Sequence, residues 1–118
     1  MNWYLAKLVF RIICGDGNHT PQFDEQLRLI YAEDNLHAFH RARLIGESET
    51  VQDEVLIVVQ WKFIDVSELH LLSELTDGAE IYSKINEEED AALYIRNTQK
   101  RAAQLLQGGL HQFTGIKA

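Results

Sequence analysis

The side chains that could do chemistry in this sequence are its histidines, its one cysteine and two turn-rich segments. His37 and His40 stand three apart, the spacing that puts two side chains on one side of a helix. A metal held there needs two or more further ligands at about 2.0–2.2 Å. His19, His70, Glu33 and Asp34 are the candidates, but there is no HExxH and no second paired motif. The pair reads as surface histidines on the polar side of an amphipathic helix, and no metal or other cofactor is implied. Cys14 ends an alternating apolar segment and reads as a buried, inert thiol. As a nucleophile it would need a base, and His19 is the only one close in sequence. Asp16-x-Asn18-x-Thr20 opens like a calcium loop, but Pro21 and Leu27 occupy the positions that need glycine and glutamate. Gly15-x-Gly17 lacks the third glycine and the following helix of a dinucleotide fingerprint.

The aromatic residues offer a second possibility. A pocket between a sheet and a helix, lined by Tyr31, His37, His40 and Trp61, would suit a small ligand. Trp3 and Tyr82 belong to the same class, although aromatics on strand faces more often serve a core or an interface. Asp77 and Glu80 could act as a carboxylate pair, but Asp77 beside Gly78 is explained by turn chemistry. Glu87 to Asp90 place four acids together, a solvated helix start or an unspecific docking point for a basic partner.

The elements that must position these residues follow from periodicity. Trp3–Cys14 alternates, with Tyr4, Ala6, Leu8, Phe10, Ile12 and Cys14 on one face. The other face is mixed, Trp3, Leu5, Lys7, Val9, Arg11 and Ile13, which predicts partial cover by a helix or a partner subunit with Lys7 and Arg11 at the rim. Gly15–Gln22 is a loop, and Phe23–Ala32 a second strand. Asp34 or Asn35 caps a helix from Leu36 to about Ile45, which Gly46 ends in the left-handed conformation. Glu47–Glu54 is an acidic connection with the composition of a disordered loop. A strand begins at Val55; after Asp65 it reads as a bent or bulged continuation, with a turn of helix capped by Ser67 as the alternative. Asp77-Gly78 turns it into a return strand, Ala79–Ile85. Asn86, with Glu89 three residues on, starts a final helix that Gly108-Gly109 stops, about 30 Å long. The fold predicted is α+β: an antiparallel sheet of about four strands in β-β-α-β-β-α order with helices on one face. One domain over 3–107 and a tail over 108–118 complete the expectation.

Composition narrows the function classes. The chain has 118 residues, 46% of them hydrophobic, with 18 acidic against 11 basic residues and a net charge of −7. That balance repels phosphate backbones and disfavours nucleic-acid binding, unless Lys7, Arg11, Arg28, Arg41 and Arg43 cluster. No segment approaches the ~20 apolar residues of a membrane span. The N-terminal stretch lacks the charged start and cleavage site of a signal peptide. A single cysteine fits a reducing compartment, so a cytoplasmic location is expected.

Several stretches together resemble a known family. They are Trp3-Tyr4 with Ala6-Lys7-Leu8-Val9-Phe10, Glu25 to Ile30 running into Ala32-Glu33-Asp34, and the helix with Ala38, Arg41-Ala42 and Ile45-Gly46. Gln60 to Val66, Glu68-Leu69 and Asp77 to Ser83 complete the set. The combination resembles the small bacterial family catalogued as domain of unknown function 4288, over roughly Trp3 to Ile85. The resemblance implies one compact bacterial domain and assigns no reaction, ligand or catalytic residue.

The reading that results is a non-catalytic protein-interaction or structural module, acting on itself as a homodimer or on another protein. Nucleic acid and membrane are not expected partners. The alternative is a small-molecule-binding domain or small enzyme using the Tyr31, His37, His40, Trp61 pocket.

Overall fold

The computed structural model describes residues 1–50 and 59–109. The chain divides into two compact units, Met1–Ser83 and Lys84–Ala118. The first is an α+β unit built from a three-stranded antiparallel sheet, in the order β2-β1-β3, and one helix. The strands are β1 (Asn2–Cys14), β2 (Gln22–Ala32) and β3 (Val59–Leu72), and the helix is α1 (Asn35–Ser48).

β1 is the central strand because it is apolar on both sides. It pairs with β2 without interruption from Asn2↔Ala32 to Ile12↔Gln22. Against β3 the register shifts twice, between Lys7 and Leu8 and between Val9 and Phe10. The break in alternation after Asp65 is therefore a bulged strand, as its sequence predicts, and β3 continues through it to Leu72. The expected start of this strand at Val55 lies outside the described residues, as do residues 51–54 of the acidic connection, whereas Glu47 and Ser48 belong to α1 and not to a loop.

The core forms where α1 covers one face of the sheet. Tyr4, Ala6, Leu8, Phe10, Ile30, Ala32, Ala38 and Ala42 are buried together, with Ile45, Trp61, Phe63, Val66 and Leu69 packed around them. Each large side chain sealed there contributes about 1.5–3 kcal/mol. Asp34 caps α1 by accepting from the His37 N–H at 2.8 Å. The helix runs past its expected end, because Gly46 is not its left-handed terminus. Gly46 is a buried helical residue lying under the Phe63 ring, where an added Cβ would overlap the ring carbons. Ala38, Ala42 and Gly46 recur every four residues, so α1 offers the sheet a stripe of small side chains.

Three further expectations are corrected. Asp77-Gly78 does make a turn, closed by the Ala79 N–H on the Thr76 carbonyl at 3.0 Å with Gly78 at φ +80°. The segment after it, however, is not a fourth strand; Ala79–Ile85 takes no regular structure. Cys14 is exposed rather than buried, because the sheet ends beneath it. In the second unit the helix α2 spans Ala91–Gln104 and continues as one π-helical stretch, Leu105–Gly109. Its cap is Asp90, accepting from the Leu93 N–H at 3.0 Å, so Asn86 and Glu87–Glu89 precede the helix instead of opening it. No described helix is long and apolar enough to cross a membrane.

Candidate functional site

The face of the sheet away from α1 carries the features that core formation does not use. Cross-strand register puts Trp3 beside Tyr31, Leu5 beside Leu29, Lys7 beside Leu27, Val9 beside Glu25 and Arg11 beside Phe23. On the β3 side, Leu5 meets His70, Lys7 meets Glu68 and Arg11 meets Lys62. This open face has two halves of different character.

The half over β1 and β3 is partly covered by the segment that follows β3. Tyr82 returns to the sheet, with its ring centroid 5.6 Å from the Lys7 Nζ and 5.7 Å from the His70 ring. Its hydroxyl donates to Glu68 at 3.5 Å, a long bond. Lys7 reaches Glu68 at 2.5 Å and Glu25 at 3.3 Å, and His70 Nε2 lies 3.1 Å from the other Glu68 oxygen. The hydrogen bond from Lys7, followed by that from His70, holds the Glu68 carboxyl below the usual range. The same bond to Glu68 holds Lys7 above the ordinary lysine value. Lys7 therefore stays charged at neutral pH, which suits an ion-pair anchor and not a nucleophile or a base. The anchor is what the return segment docks on, and a cavity of about 180 Å³ lies between Tyr82, Ile81 and the end of β3.

The half over β2 has no such cover among the described residues of its unit. Phe23, Leu27, Leu29 and Tyr31 are exposed along one side of β2, and Trp3 stacks at a tilt on Tyr31, 4.7 Å between centroids. Leu29 is 51% exposed, whereas Leu8 on the opposite face is fully buried.

The two edges of the sheet differ as well. Bulges interrupt β3, and its Phe63 N–H is occupied by the Thr50 Oγ1 at 3.1 Å. β2 is an unbulged edge of 11 residues, with no strand on its outer side among the described residues. Its helix-side residues form a chain of polar contacts. Gln26 donates to Asp24 at 2.7 Å and accepts from Arg28 at 2.8 Å, and Arg28 also meets Glu49 at 2.7 Å.

The four residues expected to line a ligand pocket are not brought together. Tyr31 is on the open face near the start of β1. His37 works as a helix-start acceptor, its Nδ1 taking the Glu33 N–H at 3.1 Å. His40 is exposed, edge-on to Phe39. Trp61 pairs across from Ile12 on the helix side, and its indole N–H donates to Asp24 at 3.2 Å. Trp3, the partner of Tyr31, and Ile12, the partner of Trp61, lie about 30 Å apart along β1. His19 does approach Cys14, but its Nε2 accepts from the Cys14 backbone N–H at 2.9 Å and its Nδ1 faces the Thr20 carbonyl at 2.8 Å. Both ring nitrogens thus close the loop rather than address the thiol. Among the described residues no three His, Cys, Asp or Glu side chains group as metal ligands.

The cations named as a possible nucleic-acid surface are dispersed. Lys7 meets Glu25 and Glu68, Arg28 meets Glu49, Arg43 meets Asp65, and Arg41 donates to the Tyr31 carbonyl. A cavity of about 430 Å³ opens where the end of α1 meets the β3 bulge. Its polar lining is already engaged: Arg43 binds both Asp65 oxygens at 3.0 Å, and the Val66 N–H takes one of them at 2.8 Å. The guanidinium also lies 4.4 Å from the Phe39 ring centroid. Bonding to Arg43 and then to the Val66 N–H holds the Asp65 carboxyl below its usual range.

The open-face residues were visible in the sequence as the mixed side of the first strand and as the face that Phe23, Leu27, Leu29 and Tyr31 share on the second. The ionic cluster was not, because it joins residues from β1, β2, β3 and the return segment.

Comparison with known proteins agrees with this division of the chain. No curated protein and no solved structure matches it. A family model described as Domain of unknown function (DUF4288) matches residues 3–83, ending at the boundary of the first unit and including both Lys7 and Tyr82. The chain therefore belongs to the family of that domain of unknown function, DUF4288.

Proposed function

We propose that the chain is a non-catalytic protein-interaction module that acts as a homodimer, and that two copies join along β2. The supporting observation is the contrast between the sheet edges. A long, regular edge strand with apolar side chains is a template for another strand, and monomeric proteins blunt such edges with bulges, prolines or charges. β3 is bulged twice; β2 is not bulged.

The sequence of β2 suits a second copy of itself. Antiparallel pairing about a two-fold axis at Gln26 sets Asp24 against Arg28 of the second copy and Phe23 against its Leu29. Both combinations occur twice, once on each side of the axis. The product is a continuous six-stranded sheet that extends the apolar strip of the open face across both copies.

Two measurements test the reading. Sedimentation at micromolar concentration is expected to give a dimer, and a strict monomer overturns it. A Cys14→Ser, Gln26→Cys variant places one thiol opposite its own symmetry mate, within the Cα separation a disulfide needs, about 4.4–6.8 Å. Rapid oxidation to a covalent dimer is expected; a dimer that refuses the cross-link excludes the Gln26 axis.

A further inference from the structure

We infer that Arg11 and Lys62 form a binding site for an oxyanion, a phosphate or carboxylate group, at the far end of the open face. The two residues are direct cross-strand partners. Such neighbours have Cβ atoms about 4.5–5.5 Å apart, and like charges placed so repel each other. Natural sheets relieve the repulsion with an acid alongside. Among the described residues the nearby acids are engaged elsewhere. Glu25 and Asp65 both pair in register with Val9, two residues along β1. Glu25 binds Lys7, and Asp65 is held by Arg43 and the Val66 N–H. Asp24, on the opposite face, takes Gln26 and the Trp61 indole. Neither Arg11 nor Lys62 joins an ion pair among the described residues.

The second observation is the Arg11 Nε. It is shielded from solvent and has no hydrogen-bond partner among the described residues, the one side-chain polar atom there in that condition. A shielded guanidinium nitrogen without an acceptor is costly and water cannot offset it there, which leaves the terminal nitrogens of the group, outside that shielding, as the donors an anion meets. The guanidinium fork can hold two oxygens of a planar or tetrahedral oxyanion, while Lys62, exposed, adds a mobile point charge. Phe23, across from Arg11 on β2, and Ile13, next on the same face of β1, give the site an apolar rim. In a chain of net charge −7, such a local excess of positive charge selects its ligand by position and not by long-range attraction.

The test uses the full chain, labelled with nitrogen-15, and follows the Arg11 Nε–H resonance by NMR. Inorganic phosphate and sodium acetate are added in separate titrations at constant ionic strength, with chloride as the control. A saturable shift with phosphate alone assigns a phosphate site, and one with acetate as well assigns a carboxylate site; both support the inference. In Lys62→Met, an exposed change that leaves the fold intact, the apparent affinity is expected to fall about tenfold, the worth of one charge-assisted hydrogen bond. A response no different from chloride, or a saturable shift unchanged in Lys62→Met, overturns it.

Discussion

On the helix side of the sheet, Leu8 and Phe10 are sealed beneath α1; on the other side, Leu27 and Leu29 of the same sheet stand half in water. Both faces are rich in large apolar side chains. What separates them is the cover. α1 presents Ala38, Ala42 and Gly46, small enough for its backbone to lie close to the sheet and for the Phe63 ring to sit against Gly46. Among the described residues of its unit, the open face receives the irregular return segment, pinned at Tyr82 to the Lys7–Glu68 pair, and that cover stops short of β2. Apolar content therefore marks where burial is available, and the matching small-residue stripe marks where it is realised within the unit.

The contrast can be broken by mutation. The largest effect is expected from Phe10→Ala, which removes a fully buried ring and costs about 3–5 kcal/mol in urea unfolding. Leu27→Ala on the open face is expected to change monomer stability by no more than about 0.5 kcal/mol. Equal costs would mean that the faces are not different. Next in size is Gly46→Ala. Helix propensity alone favours alanine by about 1 kcal/mol, but the new methyl overlaps the Phe63 ring, and overpacking of this kind costs about 1–3 kcal/mol. A stabilised variant would show that α1 does not sit as close as its stripe implies. His37→Ala leaves the exposed Glu33 N–H without its acceptor, and a loss of about 0.5–1 kcal/mol in thermal unfolding is expected. An enzyme-like role for His37 would instead leave stability untouched.

The smallest effect concerns pH and the pinned half of the open face. The depressed Glu68 carboxyl contributes stability above its ordinary value of about 4.3, which is lost as the pH falls through its lower folded value. The elevated Lys7 contributes below its ordinary value of about 10.4, which is lost as the pH rises through its higher folded value. Tyr82 should thus stay docked from weakly acidic to weakly alkaline pH and come off in acid. The ring resonances of Tyr82, followed by NMR, report this. Glu68→Gln should remove the acid transition, and its persistence would assign the docking to other groups.

Much of the fold was legible in the sequence because it rests on local pattern. The alternation of Tyr4, Ala6, Leu8 and Phe10 identified the core face of β1, the irregularity after Asp65 its bulged partner, and the Asp34-Asn35 pair the start of α1, of which Asp34 makes the cap. Errors arose where a local signal was outweighed by tertiary contact. Gly46 has the residue type of a helix end, but the Phe63 ring requires it inside a helix. Ala79–Ile85 has the composition of a strand, but Tyr82 is drawn onto the Lys7 cluster instead of pairing in the sheet. Asn86 with Glu89 has capping spacing, yet Asp90 makes the cap. The candidate site was less legible. Tyr31 and Trp61 share an aromatic character that says nothing about face or height on the sheet, and pairing register sends them to opposite sides. Lys7 and Arg11 were visible as interruptions of an apolar run, but Glu25, Glu68 and Lys62 become their neighbours only through that register.

The central claim is that β2 and the uncovered apolar strip beside it join two copies of the chain. Sedimentation velocity over a micromolar concentration series, on the unaltered chain and on Leu29→Asp, tests it most directly. The account predicts a dimer for the first and a folded monomer for the second, since the new carboxylate meets Phe23 of the second copy in an apolar strip. A monomer at every concentration, or a dimer that survives Leu29→Asp, would contradict it.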